Sequence, residues 1–327
     1  MGEPILQAQH LRVHYRTKRG PVRAVDGVSF DLALGETLGI VGETGCGKST
    51  LGKAILGILP PRTEISGHLR FRGRELVGLP EAEYRRLRGE EIALIFQDPM
   101  TRLDPLMTIK DHFVETIRAH DRTVSTAEAV SRAVKVLRSM GIPETRIDHY
   151  PHEFSGGMRQ RIMIALALVL NPKLLVADEP TTALDVIMQD RILGEIRDLQ
   201  RELDLAMMII THDISVVAEV SDRIVIMYAG EIVEEGTTES VFERPSHPYA
   251  IGLLEAFPSV TGPKKKLRAI PGSPPDLVNP PSGCRFHPRC RFAQDICTRE
   301  PPQLIEVDAG HRSRCHFAKE IFSGSLA

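Results

Sequence analysis

A chain of 327 residues, 42% hydrophobic and 26% charged, has the composition of an ordinary globular protein and the length for two domains. Its formal net charge of −2 lacks the basic excess that binds nucleic acid non-specifically, so no nucleic-acid partner is expected. The longest apolar run, Ile162 to Leu170, stops at Asn171-Pro172, too short to span a bilayer, and MGEPILQAQHLRVHY lacks the apolar region of a secretory signal.

Short apolar, β-rich runs alternate with helical patterns through the first 240 residues. VSFDLA, TLGIVG, HLRF, IALIF, KLLVAD, AMMIIT and RIVIMY are the predicted strands. Several are almost continuously apolar, as expected of strands covered on both faces in an α/β sheet. From about Asp98 to Tyr150 the chain is strand-poor. There Ser125-Thr-Ala-Glu128 reads as a capping box, Val130, Val134 and Leu137 follow on one face, and Gly141 marks the stop. A helical subdomain over about 98–171 is therefore expected inside the α/β core. After about Thr237, prolines from Pro245 to Pro281 punctuate the chain, with Cys, Arg and His between them. The predicted division is 1–237 and 238–327. So proline-rich an extension cannot build a large core and needs a staple. Lys264-Lys265-Lys266 reads as a solvated linker.

Chemistry concentrates at three places. TLGIVGETGCGKST sets an apolar strand before Gly42-x-x-x-x-Gly47-Lys48-Ser49, with a helical pattern after it. That is a phosphate-binding P-loop in its strand–loop–helix context. Glycines let backbone N–H groups curl around phosphates, Lys48 supplies a point charge, and the Ser49 hydroxyl can ligate Mg²⁺. Gly42, Glu43, Thr44, Gly45, Cys46, Gly47, Lys48, Ser49 and Thr50 are thus the expected nucleotide-binding residues. Cys46 is either a redox switch on this loop or present for its backbone alone. LLVADEP ends an apolar strand in two carboxylates: Asp178 to orient Mg²⁺, and Glu179 to polarise an attacking water as general base. Finally, Cys284, Cys290, Cys297 and Cys315 cluster near the end, spaced by five, six and seventeen residues. In a chain read as cytosolic this suggests a metal or cluster over disulfides. The spacing alone leaves zinc and an iron–sulfur cluster near even, with His287, His311 and His316 as substitute ligands in the zinc reading, while unligated buried thiols fit poorly with the flanking Arg, His and Pro.

FSGGMRQR, residues 154–161, resembles the signature motif of ABC-type ATPases, and the rest of that family's set stands in order. Gln97 matches the Q-loop, Ala183-Leu184-Asp185 the D-loop, and His212 the switch histidine. Tyr15 stands where the family's adenine-stacking aromatic lies. The resemblance covers about residues 5–237 and implies a P-loop NTPase core. It also implies ATP and Mg²⁺ as ligands, the metal held by Ser49, Gln97 and Asp178. Ser155, Gly156 and Gly157 would close over the γ-phosphate of a second ATPase subunit, identical or homologous. Further implied partners are two transmembrane permease subunits and, indirectly, an extracytoplasmic solute-binding protein.

With one motif set and no fused membrane helices, tandem cassette or coiled coil, the chain fits an importer subunit on the cytoplasmic face of the membrane. ERPSHPYAIGLLEAFPS resembles the extension of the peptide and nickel branch, and the cysteine segment that of dipeptide and oligopeptide importers. Oligosaccharide or nickel import is the alternative, and a soluble non-transport ABC regulator binding RNA or protein is the rival of another class. In the resembling peptide importers the four cysteines hold a 4Fe–4S cluster. Here that cluster is expected as an independent structural staple of the tail, such that Cys290→Ser would disorder the tail and leave the P-loop able to bind ATP.

Overall fold

Alternation opens the chain: β1 (Leu6–Thr17) buries Leu6, Ala8, Leu11 and Val13 and leaves its polar residues outward. In this computed structural model, which describes residues 3–95, 102–181, 186–256 and 269–326, two compact units form, Met1–Gly78 with Ile209–Ala327, and Leu79–Met208.

In the first unit β1 pairs antiparallel with β2 (Gly20–Leu32), from Leu6↔Leu32 to Thr17↔Gly20. β3 (Thr37–Val41), buried at all five positions, leads through the phosphate loop into α1 (Lys48–Ile55). β4 (Glu64–Phe71) and β5 (Arg74–Glu75) complete an antiparallel sheet of order β2-β1-β4-β5. The predicted runs VSFDLA and HLRF are the ends of β2 and β4, whereas β1 and β5 were not expected. β1 mixes polar with apolar residues because one face is wet, so it lacks a continuous apolar signal.

The second unit holds α2 (Glu81–Leu87), β6 (Ile92–Ile95), α3 (Ile109–His120), α4 (Thr126–Ser139), α5 (Gly156–Leu168), β7 (Leu174–Asp178) and α6 (Val186–Glu202). β6 and β7 run parallel, Ile95 beside Ala177. A reciprocal capping box starts α3: Thr108 Oγ1 accepts from the Asp111 N–H at 3.2 Å, and the Asp111 carboxylate accepts from the Thr108 N–H at 3.3 Å. At α4 Ser125 caps the Glu128 N–H at 3.1 Å. Its inner face is set one position away from the expectation. Ala129, Ala133 and Leu137 are fully buried, while Val130 and Val134 are half-buried. The small alanines face inward where helices must approach closely. Gly141, at φ +67°, ends the helix as expected.

β8 (Ala206–Thr211) carries the chain back into the first unit, which continues with α7 (Ile214–Val220), β9 (Arg223–Tyr228), β10 (Glu231–Thr237), α8 (Thr238–Glu243) and α9 (Pro248–Glu255). β3 lies parallel to β9, Val41 beside Ile226. The last elements are α10 (Asp295–Arg299), β11 (Ile305–Asp308), β12 (His311–Ser313) and α11 (Ala318–Phe322). The hairpin β11–β12 adds to the sheet edge through Glu234↔Ser313 and Glu235↔Arg312. The proline-rich extension thus shares a core with what precedes it: Tyr249, Ala250, Leu253 and Phe286 are buried in one cluster with Val41, Ile224, Ile226 and Tyr228. Sharing a core lets a segment too poor in apolar residues to fold alone become ordered.

Candidate active site: the phosphate loop and the carboxylate strand

The loop after β3 is shaped by backbone crowding. Gly47 sits at φ +108°, and a Cβ there would stand 1.9 Å from the Ala24 carbonyl oxygen. At Gly42 a Cβ would meet the Met227 carbonyl at 2.2 Å. No side chain in L configuration fits either place. Gly47 caps α1 without a side-chain acceptor, so the first N–H groups of the helix point out of the loop, with the positive dipole end behind them. Lys48, 5% exposed, curls its Nζ back onto the carbonyls of Gly42 at 2.6 Å and Glu43 at 3.1 Å. Gly230 N–H donates to the Cys46 carbonyl at 2.9 Å and braces the loop from β9–β10. Tyr15 donates its hydroxyl to Thr50 Oγ1 at 3.0 Å, which ties β1 to α1. His212 follows β8 on the exposed surface, ahead of Asp213, whose carboxylate caps α7 by accepting from Ser215 N–H at 2.9 Å.

Cys46 is buried, and burial pushes its thiol above the ordinary value despite the nearby Lys48 ammonium. A shielded neutral thiol is inert, so the backbone reading of Cys46 prevails over the redox switch.

In the second unit β7 delivers Asp178 at its end, and Glu179 follows in the left-handed region at φ +50°. A non-glycine residue held there stores strain that aims its side chain, a feature concentrated at functional sites. Gln160 of α5 donates to the Pro180 carbonyl and holds the turn from below. Ser155 caps α5 by accepting from the Met158 N–H at 3.4 Å, and Ser155 and Gly156 are exposed. This presents a helix N-terminus outward. Gln97 and Asp185 lie outside the described residues.

Two features were missed in the sequence. Arg289 of the extension grips Glu43 with both guanidinium nitrogens, Nη1 to Oε2 at 2.7 Å and Nη2 to Oε1 at 2.9 Å, and Tyr249 accepts the Glu43 N–H at 2.9 Å. Arg285, likewise, hydrogen-bonds the Asp26 carboxylate and the Ala229 carbonyl at 2.6 Å. The only hint was basic residues alternating with the cysteines in GCRFHPRC. The extension is therefore not independent of the loop.

The cysteines require a correction. Cys284, Cys290, Cys297 and Cys315 all face one cavity, but its volume is about 10 Å³, room for about one water and not for a 4Fe–4S cluster. Burial pushes the Cys284 thiol up to about 11, the Cys315 thiol up to about 12, and that of Cys290 upward as well. Among the described residues no group of three or more His, Cys, Asp or Glu is arranged to hold a metal ion. The candidate histidines are engaged elsewhere: His287 with the Cys284 carbonyl at 2.9 Å, His316 with the Glu300 carbonyl at 2.9 Å, and His311 with Glu234 at 2.7 Å. The iron–sulfur expectation does not stand. Shared apolar core, buried ion pairs and sheet extension do the stapling.

A strand–glycine loop–helix with a buried lysine, and an apolar strand ending in paired carboxylates, define a nucleotide-binding ATPase cassette. The chain matches the ABC transporter family over residues 25–182 and the oligopeptide/dipeptide transporter C-terminal region over 233–297. It is 46% identical to the oligopeptide transport ATP-binding protein OppD of Haemophilus influenzae, over 98% of this chain and 99% of that protein. It is 47% identical to the dipeptide transport ATP-binding protein DppD of Lactococcus lactis, over 97% of this chain and 90% of that one. Among solved structures, the dimeric ATP-binding cassette MJ0796 bound to ADP and phosphate superposes with a TM-score of 0.64 at 28% identity, covering 71% of this chain and 98% of that one. The chain belongs to the ABC transporter family, among the ATP-binding subunits of its oligopeptide and dipeptide branch.

Proposed function

We propose that this chain is the ATP-hydrolysing subunit that powers import of dipeptides and oligopeptides, held on the cytoplasmic face of the cell membrane by its partners. The observation that carries this reading is 46% identity across nearly the whole chain to an oligopeptide transport ATP-binding protein. Residues 1–237 form the cassette, with its helical subdomain over about 98–171, and 238–327 form the extension.

The amides of the loop 42–50 and of the first turn of α1 hold the phosphates of ATP, and Tyr15 lies against the adenine. Lys48 exchanges its carbonyl partners for the phosphates. Ser49, Gln97 and Asp178 offer the hard oxygen donors that suit Mg²⁺, which neutralises phosphate charge when bound. Glu179 takes the proton of the attacking water, and His212 hydrogen-bonds the γ-phosphate. Ser155, Gly156 and Gly157 of one subunit, with Asp185, close over the nucleotide of a second, identical or homologous, ATPase subunit. That closure drives two transmembrane permease subunits, to which a solute-binding protein delivers cargo from outside.

The test is ATP-dependent uptake by membranes carrying the full complex, comparing labelled trialanine with labelled maltotriose. Uptake of the peptide is expected, and uptake of the sugar alone overturns the cargo reading. Glu179→Gln is expected to lower ATPase turnover about 100- to 10,000-fold, the range of a lost general base, while ATP binding is kept. Turnover at the wild-type rate would remove Glu179 from that role.

A further inference from the structure

Glu43 is the second residue of the phosphate loop, and its carboxylate is held from outside the loop. Its N–H goes to Tyr249 and its carboxylate to Arg289, 246 residues downstream. Arg289 is itself fixed. Its side chain is 5% exposed, its Nε donates to the Pro271 carbonyl at 2.7 Å, and its Nη1 lies 3.3 Å from Tyr228 Oη. Tyr228, Tyr249 and Phe286 pack with ring centroids 4.6 to 5.4 Å apart, so α9, β9 and the turn bearing Arg289 form one rigid support.

The charges make this arrangement consequential. A carboxylate one residue from Gly42 would repel a polyphosphate in the loop, and the repulsion grows with the ligand's charge. A bidentate guanidinium cancels that charge and fixes its geometry. We propose that Arg289 is a positioning residue: through Glu43 the C-terminal extension sets the affinity of the phosphate loop for nucleotide and its preference for ATP over ADP. This rests on reading residues 42–50 as the ATP site. It makes the extension a port through which a ligand or subunit bound to the tail changes nucleotide affinity, because whatever moves Arg289 unmasks Glu43.

The experiment is titration of the full chain with fluorescent ATP and ADP analogues. Arg289→Gln is expected to raise the Kd for ATP about tenfold, the scale of one lost charge-assisted hydrogen-bond pair, and that for ADP by less. The double variant Glu43→Gln/Arg289→Gln removes the unmasked charge and is expected to restore most of the ATP preference. A merely structural role for Arg289 would move both nucleotides alike and give no rescue, and that result overturns the proposal. So does an unchanged Kd for ATP in Arg289→Gln. If Arg289→Gln does not fold, Arg289→Lys serves instead. It keeps a positive charge but loses the bidentate grip on Glu43, and is expected to weaken ATP severalfold and ADP by less, whereas an equal change for both nucleotides, or wild-type affinity, would sink the idea. Failure of the wild-type chain to bind ATP would instead sink the underlying ATP-site reading, and the proposal with it.

Discussion

Arg285→Met tests whether buried ion pairing staples the extension. Methionine keeps the aliphatic bulk and removes the charge. Arg285, 9% exposed, faces Asp26, the Ala229 carbonyl at 2.6 Å and Glu231 at 3.4 Å. Breaking one partner of a buried pair costs about 3–5 kcal/mol, because the other charge is left without compensation. Asp26 keeps Arg12 at 3.2 Å and His14 at 3.5 Å, and Glu231, already raised by burial, can take up a proton, so the lower end, about 3 kcal/mol, is expected. The pH dependence supplies an independent signature. Burial alone would raise the Asp26 carboxyl, but Arg285, together with His14 and Arg23, outweighs it and holds the group below its ordinary value. A depressed folded-state value means the stabilisation is complete above the unfolded value, near 3.9, and is lost as pH falls through the folded one. The difference between wild type and Arg285→Met should therefore be full at pH 7 and shrink below about pH 4. Urea unfolding followed by far-UV circular dichroism gives the difference, and hydrogen exchange at the Asp26 amide, which donates to Gly230 at 2.8 Å, locates it. A loss under about 0.5 kcal/mol at pH 7, as for an ordinary surface change, would show that the Arg285–Asp26 pair does not hold the extension in place.

Gly47→Ala should abolish binding of a fluorescent ATP analogue, since its Cβ would overlap the Ala24 carbonyl; near-wild-type binding would mean the loop backbone relaxes freely. His247, fully buried, caps α9 by accepting the Tyr249 N–H at 3.0 Å, and burial depresses its pKa to about 3. Unfolded chains bind its proton near pH 6.5, so stability should fall as pH drops from about 6.5 to about 3, by up to about 1.4 kcal/mol per unit. His247→Asn keeps a capping acceptor and should lose that part of the slope in urea titrations across this range, while an unchanged slope would place His247 outside it.

Local pattern alone carried much of this protein. β3 and β7 are legible because a strand covered on both faces must be apolar throughout, and the phosphate loop because only glycine tolerates backbone crowding on both sides. The Ser125 cap of α4 is equally local, yet the buried face of that helix was misjudged. Valine outranks alanine in hydrophobicity, and only the neighbouring helices decide that a small residue is needed.

What the tertiary structure alone decided is the extension. Four clustered cysteines suggested a metal staple, because spacing records sequence proximity and not the space between thiols. The pairs Arg289–Glu43 and Arg285–Asp26 join residues more than 240 positions apart, and no periodicity or motif encodes a contact between segments brought together only by folding. Local rules bounded the loop's shape from the sequence by itself. Which charge stands behind Glu43 depended on the whole fold.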